Sequence, residues 1–115
     1  MKMNNQGQQP VTVEQAETTV EIYDALKRLE KTNDFKKVFT EHLFTNEIIR
    51  LHSLMAHPEQ SIVDSRDKII SDLDALSNVK FALQMINSIG KSTKEQLDAF
   101  RAEQLAVDAE SSLEG

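Results

Sequence analysis

Apolar and polar residues follow one another along most of this chain with the three- to four-residue period of an amphipathic helix. The first apolar stripe predicts a helix over about 12–32, with Thr12 as its N-cap. The same period predicts helices over about 34–43, 45–56, 61–89 and 92–107. No strand-like alternation of useful length is present, so we expect an all-α fold.

The longest periodic run lies in the predicted helix 61–89. Four of its apolar residues, Ile62, Ile69, Leu76 and Leu83, are spaced by seven and predict a seam of coiled-coil character. Gly90 follows at a position typical of a helix C-cap, and Ser92 with Glu95 has the spacing of a capping box for the next helix. A helix of this span is roughly 40 Å long, whereas a compact globule of this chain length has a diameter of about 35 Å. We therefore expect an elongated helical hairpin or bundle of four to five helices that includes one long helix.

Three aromatic side chains form a cluster near the middle of the chain: Phe35, Phe39 and Phe44. Asn33 or Asp34 is expected to cap the short helix that carries the first two, and Thr45 or Asn46 to cap the helix that follows. As core residues, the three rings would anchor the short helix. As exposed residues, they would form an anchor for a partner protein, because aromatic side chains concentrate at interface hot spots.

Composition divides the chain into an arm, one domain and a tail. Residues 1–11 are polar and rich in Gln and Asn, which predicts a disordered arm. Residues 12–107 are expected to form a single helical domain, with a loop at 57–60 because Pro58 ends the helix before it. Residues 108–115 are expected to form an acidic flexible tail, because no Lys or Arg follows Arg101.

Net charge and composition exclude several classes of function. The formal net charge is -6 and the 13 Lys and Arg residues are scattered, which disfavours direct binding to nucleic acid. The chain has neither a membrane-length apolar stretch nor a signal-peptide pattern, so we expect a cytoplasmic protein that does not bind a membrane. The absence of Cys excludes disulfides and thiol chemistry. A hydrophobic fraction of 39% without Trp predicts a thin core.

Residues capable of catalysis or metal binding do not form a recognisable site. His42, His52 and His57 are spaced by ten and five, whereas two imidazoles on one helical face need a spacing of four. Asp72 and Asp74 are two residues apart and do not face each other on a helix, and Asp64 with Asp67 suits a helix N-terminus. No Ser or Thr has a positioned base. We predict no catalytic, cofactor-binding or metal-binding residue, and hence no enzyme.

The stretch from Asp34 to Gly90 resembles small helical proteins encoded in the structural and packaging gene modules of tailed bacteriophages. The resemblance covers about half of the chain. It is carried by Asp34, Phe35, Lys36, Phe44, Glu47, Arg50, Leu51, Arg66, Ile70, Leu73, Asp74, Ala75, Leu76, Phe81 and Gly90. It implies a non-enzymatic role in the virion or its assembly, with a phage protein as partner, and it supplies no binding motif that could be transferred.

The leading hypothesis is a non-enzymatic helical structural or assembly protein that acts through protein–protein contacts, either with copies of itself or with a phage structural protein. The alternative is a small acidic regulatory or counter-defence protein that binds and inhibits a host protein. Either would work in the cytoplasm of a bacterial host, the first also in the virion. The predicted partner-binding residues are Phe35, Phe39, Phe44, Ile62, Ile69, Leu73, Leu76 and Leu83.

Overall fold

A computed structural model describes residues 2–3, 11–57, 59 and 65–114, and nearly all of these are helical. Strands β1 (Lys2–Met3) and β2 (Val11–Thr12) form an antiparallel pair of two residues each. Three helices follow within the described residues: α1 (Val13–Glu30), α2 (33–55) and α3 (Arg66–Glu114). The all-α class and the single long helix are confirmed. The expectation of four to five helices is wrong, because predicted neighbours merge into α2 and into α3.

Helix α1 begins where the sequence predicts. The backbone amide of Gln15 donates to Thr12 Oγ1 at 3.1 Å, and the amide of Thr12 donates to Gln15 Oε1 at 2.9 Å. This reciprocal pair is a capping box, which satisfies two amides that the first turn leaves without partners. Thr12 as the N-cap is thus confirmed.

Helix α2 is one continuous helix with a π-helical centre. An α-helical turn, Asn33–Phe35, leads into π-helix over Lys36–Glu47 and then into α-helix over Ile48–Met55. Its N-cap is Thr32, whose Oγ1 accepts from the amide of Phe35 at 3.1 Å, and not Asn33 or Asp34. The cap predicted at Thr45 or Asn46 is also wrong, because Thr45 Oγ1 donates to the carbonyl of Thr40 inside the helix at 2.8 Å.

Helix α3 runs without a break through Gly90, so the C-cap predicted there and the capping box predicted at Ser92 and Glu95 are both wrong. Ser92 Oγ instead accepts from Gln96 Nε2 at 3.5 Å within the helix. Gly90 is buried, and a Cβ atom built on it would lie 2.7 Å from Tyr23 Cδ1 and closer still to Tyr23 Cβ and Cγ. Glycine is therefore required by the close approach of α1, and not by a helix end.

The chain divides into two packed units, and α1 and α3 each contribute to both. One unit holds the residues up to Leu26 and those from Ile86 onward. In it, α1 packs antiparallel to α3 around Ala16 and Leu97, which are 1% and 2% exposed. Val11, Val13 and Val20 pack against this pair.

The other unit is Lys27–Met85. Its buried apolar residues are Phe35 and Leu51 of α2 and Ile69 of α3. Arg66 Nη2 donates to the carbonyl of Met55 at 3.5 Å, which places a cation at the negative end of α2 and brings the start of α3 beside it. None of the described helices has an apolar stretch sufficient to cross a membrane.

Candidate protein-interaction surfaces

The three phenylalanines predicted to form a cluster do lie together along α2. The rings of Phe35 and Phe39 are stacked, with centroids 4.7 Å apart, and those of Phe39 and Phe44 are tilted at 6.0 Å. Phe35 is buried, whereas Phe39 and Phe44 are half-buried. Both interpretations of the cluster are thus compatible with its burial: Phe35 belongs to the core, and the other two rings keep an accessible edge. Their partner-binding role stays a prediction.

The π-helical backbone explains why Phe44 joins this cluster. Phe39 and Phe44 are five residues apart, and in an α-helix this spacing separates two side chains by about 140° around the axis. A π-helix repeats its hydrogen bonds from i to i+5, so residues five apart lie one above the other. Thr40 and Thr45, also five apart, bond to each other in the same segment.

The seven-residue seam of α3 is largely a packing face of the chain itself. Ile69 is buried, and Leu73, Leu76 and Leu83 are half-buried. The predicted member Ile62 lies outside the described residues. The series continues past its predicted end, because Gly90 and Leu97 follow Leu83 at the same interval and both are buried. A partner could reach only the exposed part of the half-buried leucines, and their partner-binding role stays a prediction.

Two large apolar side chains of α3 within Lys27–Met85 are exposed on the face opposite the seam. Phe81 is 60% exposed, and Met85, one turn later, is 38% exposed. Phe81 lies five residues after Leu76, and hence about 140° around the helix from it. In the sequence, Phe81 could have been found as a large aromatic residue that does not belong to the seven-residue series. We call Phe81 and Met85 the outer pair.

Roughly the last four turns of α3, starting at Arg101, are exposed. Every residue from Arg101 to Leu113 is exposed, although the helix continues to Glu114. Arg101 forms the last described ion pair with α1, its Nη2 lying 3.2 Å from Glu17 Oε2. Because α1 begins at Val13, one turn before Glu17, and runs antiparallel to α3, α3 extends past the start of α1 from about one turn beyond Arg101. The flexibility of residues 108–115 stays a prediction.

Two of the ion pairs among the described residues shift the pKa of at least one of their members. Arg50 donates from Nε and Nη2 to both carboxylate oxygens of Glu47, at 3.0 Å and 2.8 Å. This hydrogen bonding holds the pKa of Glu47 below its ordinary value of 4.5 and raises the pKa of Arg50. Lys94 lies 3.0 Å from Asp24 and 6.0 Å from the centre of the Tyr23 ring, and the hydrogen bond to Asp24 raises the pKa of Lys94. Both pairs are partly exposed, so they orient side chains more than they stabilise the fold.

The described residues contain no cluster of three or more His, Asp or Glu side chains suited to a metal ion. His42, His52 and His57 are all exposed. Asp72 accepts from Lys68 at 3.1 Å, while Asp74 is exposed. Asp64 lies outside the described residues. The prediction that this chain is not an enzyme is not tested by these observations.

Comparison of this chain with known protein families, with curated proteins and with solved structures finds no match.

Proposed function

We propose that this chain is a non-enzymatic helical structural or assembly protein, associated with a phage virion, that acts through protein–protein contacts. The observation that carries the proposal is the balance between buried and exposed apolar side chains. Among the described residues, six hydrophobic residues are buried, whereas twelve large hydrophobic residues are exposed. Exposed apolar side chains that lie side by side, as Phe81 and Met85 do four residues apart on α3, are typical of surfaces that bind other proteins.

The outer pair is the strongest candidate for the contact. Phe81 offers an aromatic ring with more than half of its surface accessible, and aromatic residues with Met are enriched in the cores of interfaces. A neighbouring helix laid along this face would cover Phe81 and Met85 together, because residues four apart share one side of a helix. The half-buried leucines of the seam and the edges of Phe39 and Phe44 are the second candidate, as the sequence predicts.

Mass spectrometry of purified particles tests the role in the virion. We expect the protein at a fixed copy number in particles of the phage whose genome carries the gene. Its absence from particles, or a gene that lies outside any phage genome, would contradict the proposal.

Sedimentation equilibrium tests whether one partner is a second copy. We expect the wild-type chain to associate at tens of micromolar, and Phe81→Ser with Met85→Ser to shift it to the monomer. Ile49→Ser is the matched control, because Ile49 is also 60% exposed but lies on α2. A wild-type monomer that binds no apolar dye would exclude self-association, and equal effects of both variants would exclude the outer pair as the contact.

The acidic end of α3 favours the second candidate function, a small regulatory or counter-defence protein that binds and inhibits a host protein. Glu103, Asp108, Glu110 and Glu114 follow Arg101 without any Lys or Arg, so four of the six net negative charges lie in the last fourteen residues. Such a segment suits a basic surface on another protein. Absence from particles together with tight binding to one host protein would favour this function over the first.

A further inference from the structure

The end of α3 carries a narrow apolar stripe that is exposed in the part of the chain that the structure describes. At about 100° per residue, five apolar residues between Ala102 and Leu113 fall within about 100° of arc. They are Ala102, Leu105, Ala106, Ala109 and Leu113. All five are exposed, and Leu105 and Leu113 are 69% and 88% exposed. We call these five residues the terminal stripe.

The terminal stripe does not continue the face by which α3 packs on α1. Leu97 is buried in that packing face and Phe100 is half-buried beside it, and the positions that continue this side of the helix are Gln104, Val107 and Ser111, of which only Val107 is apolar. The terminal stripe is centred on the other side of the helix. Ala102, for example, lies about 160° from Phe100 around the helix axis. The packing of α3 on α1 therefore explains neither its position nor its composition.

Carboxylates border the terminal stripe. Glu103 and Glu110 lie about 100° and 80° from Ala102 around the helix on one side, and Asp108 lies about 120° away on the other. All three side chains are exposed, and no Lys or Arg occurs in this segment. Negative charge near a helix C-terminus opposes the helix dipole and weakens the isolated helix, so this arrangement does not serve the stability of the free chain.

We propose that residues 102–113 form an acidic helical plug that docks into an apolar groove of a partner protein, with Lys and Arg along the rim of the groove. Leu105 and Leu113 would fill the groove, and the alanines would let the helix approach its floor closely. Cations on the rim would neutralise the carboxylates and remove their conflict with the helix dipole. This mode corresponds to recognition of an amphipathic helix in a groove.

Charge separates this partner from a second copy of the chain. Two terminal stripes facing each other would bring six carboxylates together with no intervening cation, because each copy contributes Glu103, Asp108 and Glu110. Like charges across an interface are strongly unfavourable. The terminal stripe shares no residue with the outer pair. This inference rests on the acidic segment that favours the second candidate function, and it names the surface of that segment that makes the contact and the chemistry of the partner.

Fluorescence anisotropy with three labelled synthetic helical peptides of about 21 residues tests the inference. The first peptide has Leu along one face and Lys elsewhere, the second replaces Lys by Glu, and the third replaces Leu by Ser. We expect the full-length protein to bind the first peptide at least about tenfold more tightly than the other two, since only the first offers both apolar contact and positive charge. Raising the salt from about 0.05 to about 0.5 M should weaken this binding.

Matched variants locate the contact. Leu105→Ser with Leu113→Ser should weaken binding at least about tenfold, because both groove-filling side chains are lost. Val107→Ser is the control, since Val107 is 50% exposed on the same segment but lies about 140° from Ala102. Glu103→Gln with Glu110→Gln should remove most of the salt dependence.

Three results would overturn the inference: equal binding of the first two peptides, equal effects of the Leu105/Leu113 and Val107 variants, or sedimentation showing that the terminal stripe holds two copies together. Circular dichroism of each variant establishes that its helices are intact. Peptide binding is tested by the Leu105 and Leu113 variant, whereas self-association is tested by the outer-pair variant, Phe81→Ser with Met85→Ser. Failure of this inference and failure of the self-association proposal can thus be told apart.

Discussion

At the scale of single residues, Gly90 and Tyr23 set how closely α1 and α3 approach. Glycine inside an exposed helix costs about 1 kcal/mol relative to alanine, so propensity alone favours replacing it. The ring and Cβ of Tyr23 occupy the space that a Cβ on Gly90 would need. Beside this contact, the ion pair of Asp24 with Lys94 links the same two helices.

Gly90→Ala should therefore lower the free energy of unfolding by about 1–3 kcal/mol, because overpacking forces the two helices apart. Urea denaturation followed by circular dichroism measures the change. Ser88→Ala, at an exposed position of the same helix, is the control and should stay within about 0.5 kcal/mol of wild type. A variant Gly90→Ala as stable as the wild type would show that the close approach does not constrain the fold.

The pair of Glu47 with Arg50 predicts a pH dependence. Because the folded-state pKa of Glu47 lies below its ordinary 4.5, the pair stabilises the fold above that value, and this contribution is lost as the pH falls through the folded pKa. The difference in Tm between wild type and Glu47→Gln should be present at pH 7 and should shrink progressively as the pH falls below 4.5. Glu41→Gln, in the same π-helical segment, is the control. A difference that persists unchanged in acid would contradict this origin.

At the scale of elements, burial varies strongly along α3. The helix packs where it faces α1, and Leu97 there is only 2% exposed. Its side chains are exposed from Arg101 to Leu113. Leu97→Ala should cost about 2–5 kcal/mol of unfolding free energy, because it leaves a cavity beside Ala16. Leu105→Ala, the same change at a 69% exposed position, should cost less than about 0.5 kcal/mol. Similar costs at both positions would show that the end of α3 is covered in solution.

The π-helical centre of α2 makes a second prediction at this scale. Phe39 and Phe44 contact each other because residues five apart are neighbours in a π-helix. A double-mutant cycle with Phe39→Ala and Phe44→Ala should give a coupling free energy of about 0.5–1.5 kcal/mol. A coupling near zero would indicate α-helical geometry, in which the two rings diverge by about 140°.

At the scale of the whole molecule, stability rests on a small set of buried apolar residues. Deleting residues 102–115 removes no buried side chain among those described and keeps the ion pair of Arg101 with Glu17. We expect the truncated protein to unfold within about 0.5 kcal/mol of wild type, since it also loses carboxylates that oppose the helix dipole. Thermal and urea denaturation measure this, and a loss above about 2 kcal/mol would show that the segment packs on the chain.

The sequence by itself determined the helical class, the start of α1 and the seven-residue series, because helix periodicity and the Thr12 cap depend on residues close together along the chain. The sequence also predicted that Phe35, Phe39 and Phe44 form one cluster, and the ring distances confirm it. The series could have been followed through Gly90 to Leu97, since the interval of seven does not change there.

Only the tertiary structure decided that the helices continue through residues whose local chemistry is typical of a helix end. Gly90, Ser92 and Thr45 all have the local chemistry of helix ends, yet each lies inside a helix. At Gly90 the cause is Tyr23 of α1, which is 67 residues away along the chain and requires a position without a side chain. Tertiary structure also decided which apolar residues stay exposed. Local spacing does not show which positions of a helix a distant segment covers, so the exposure of residues 101–113 could not be predicted from the sequence.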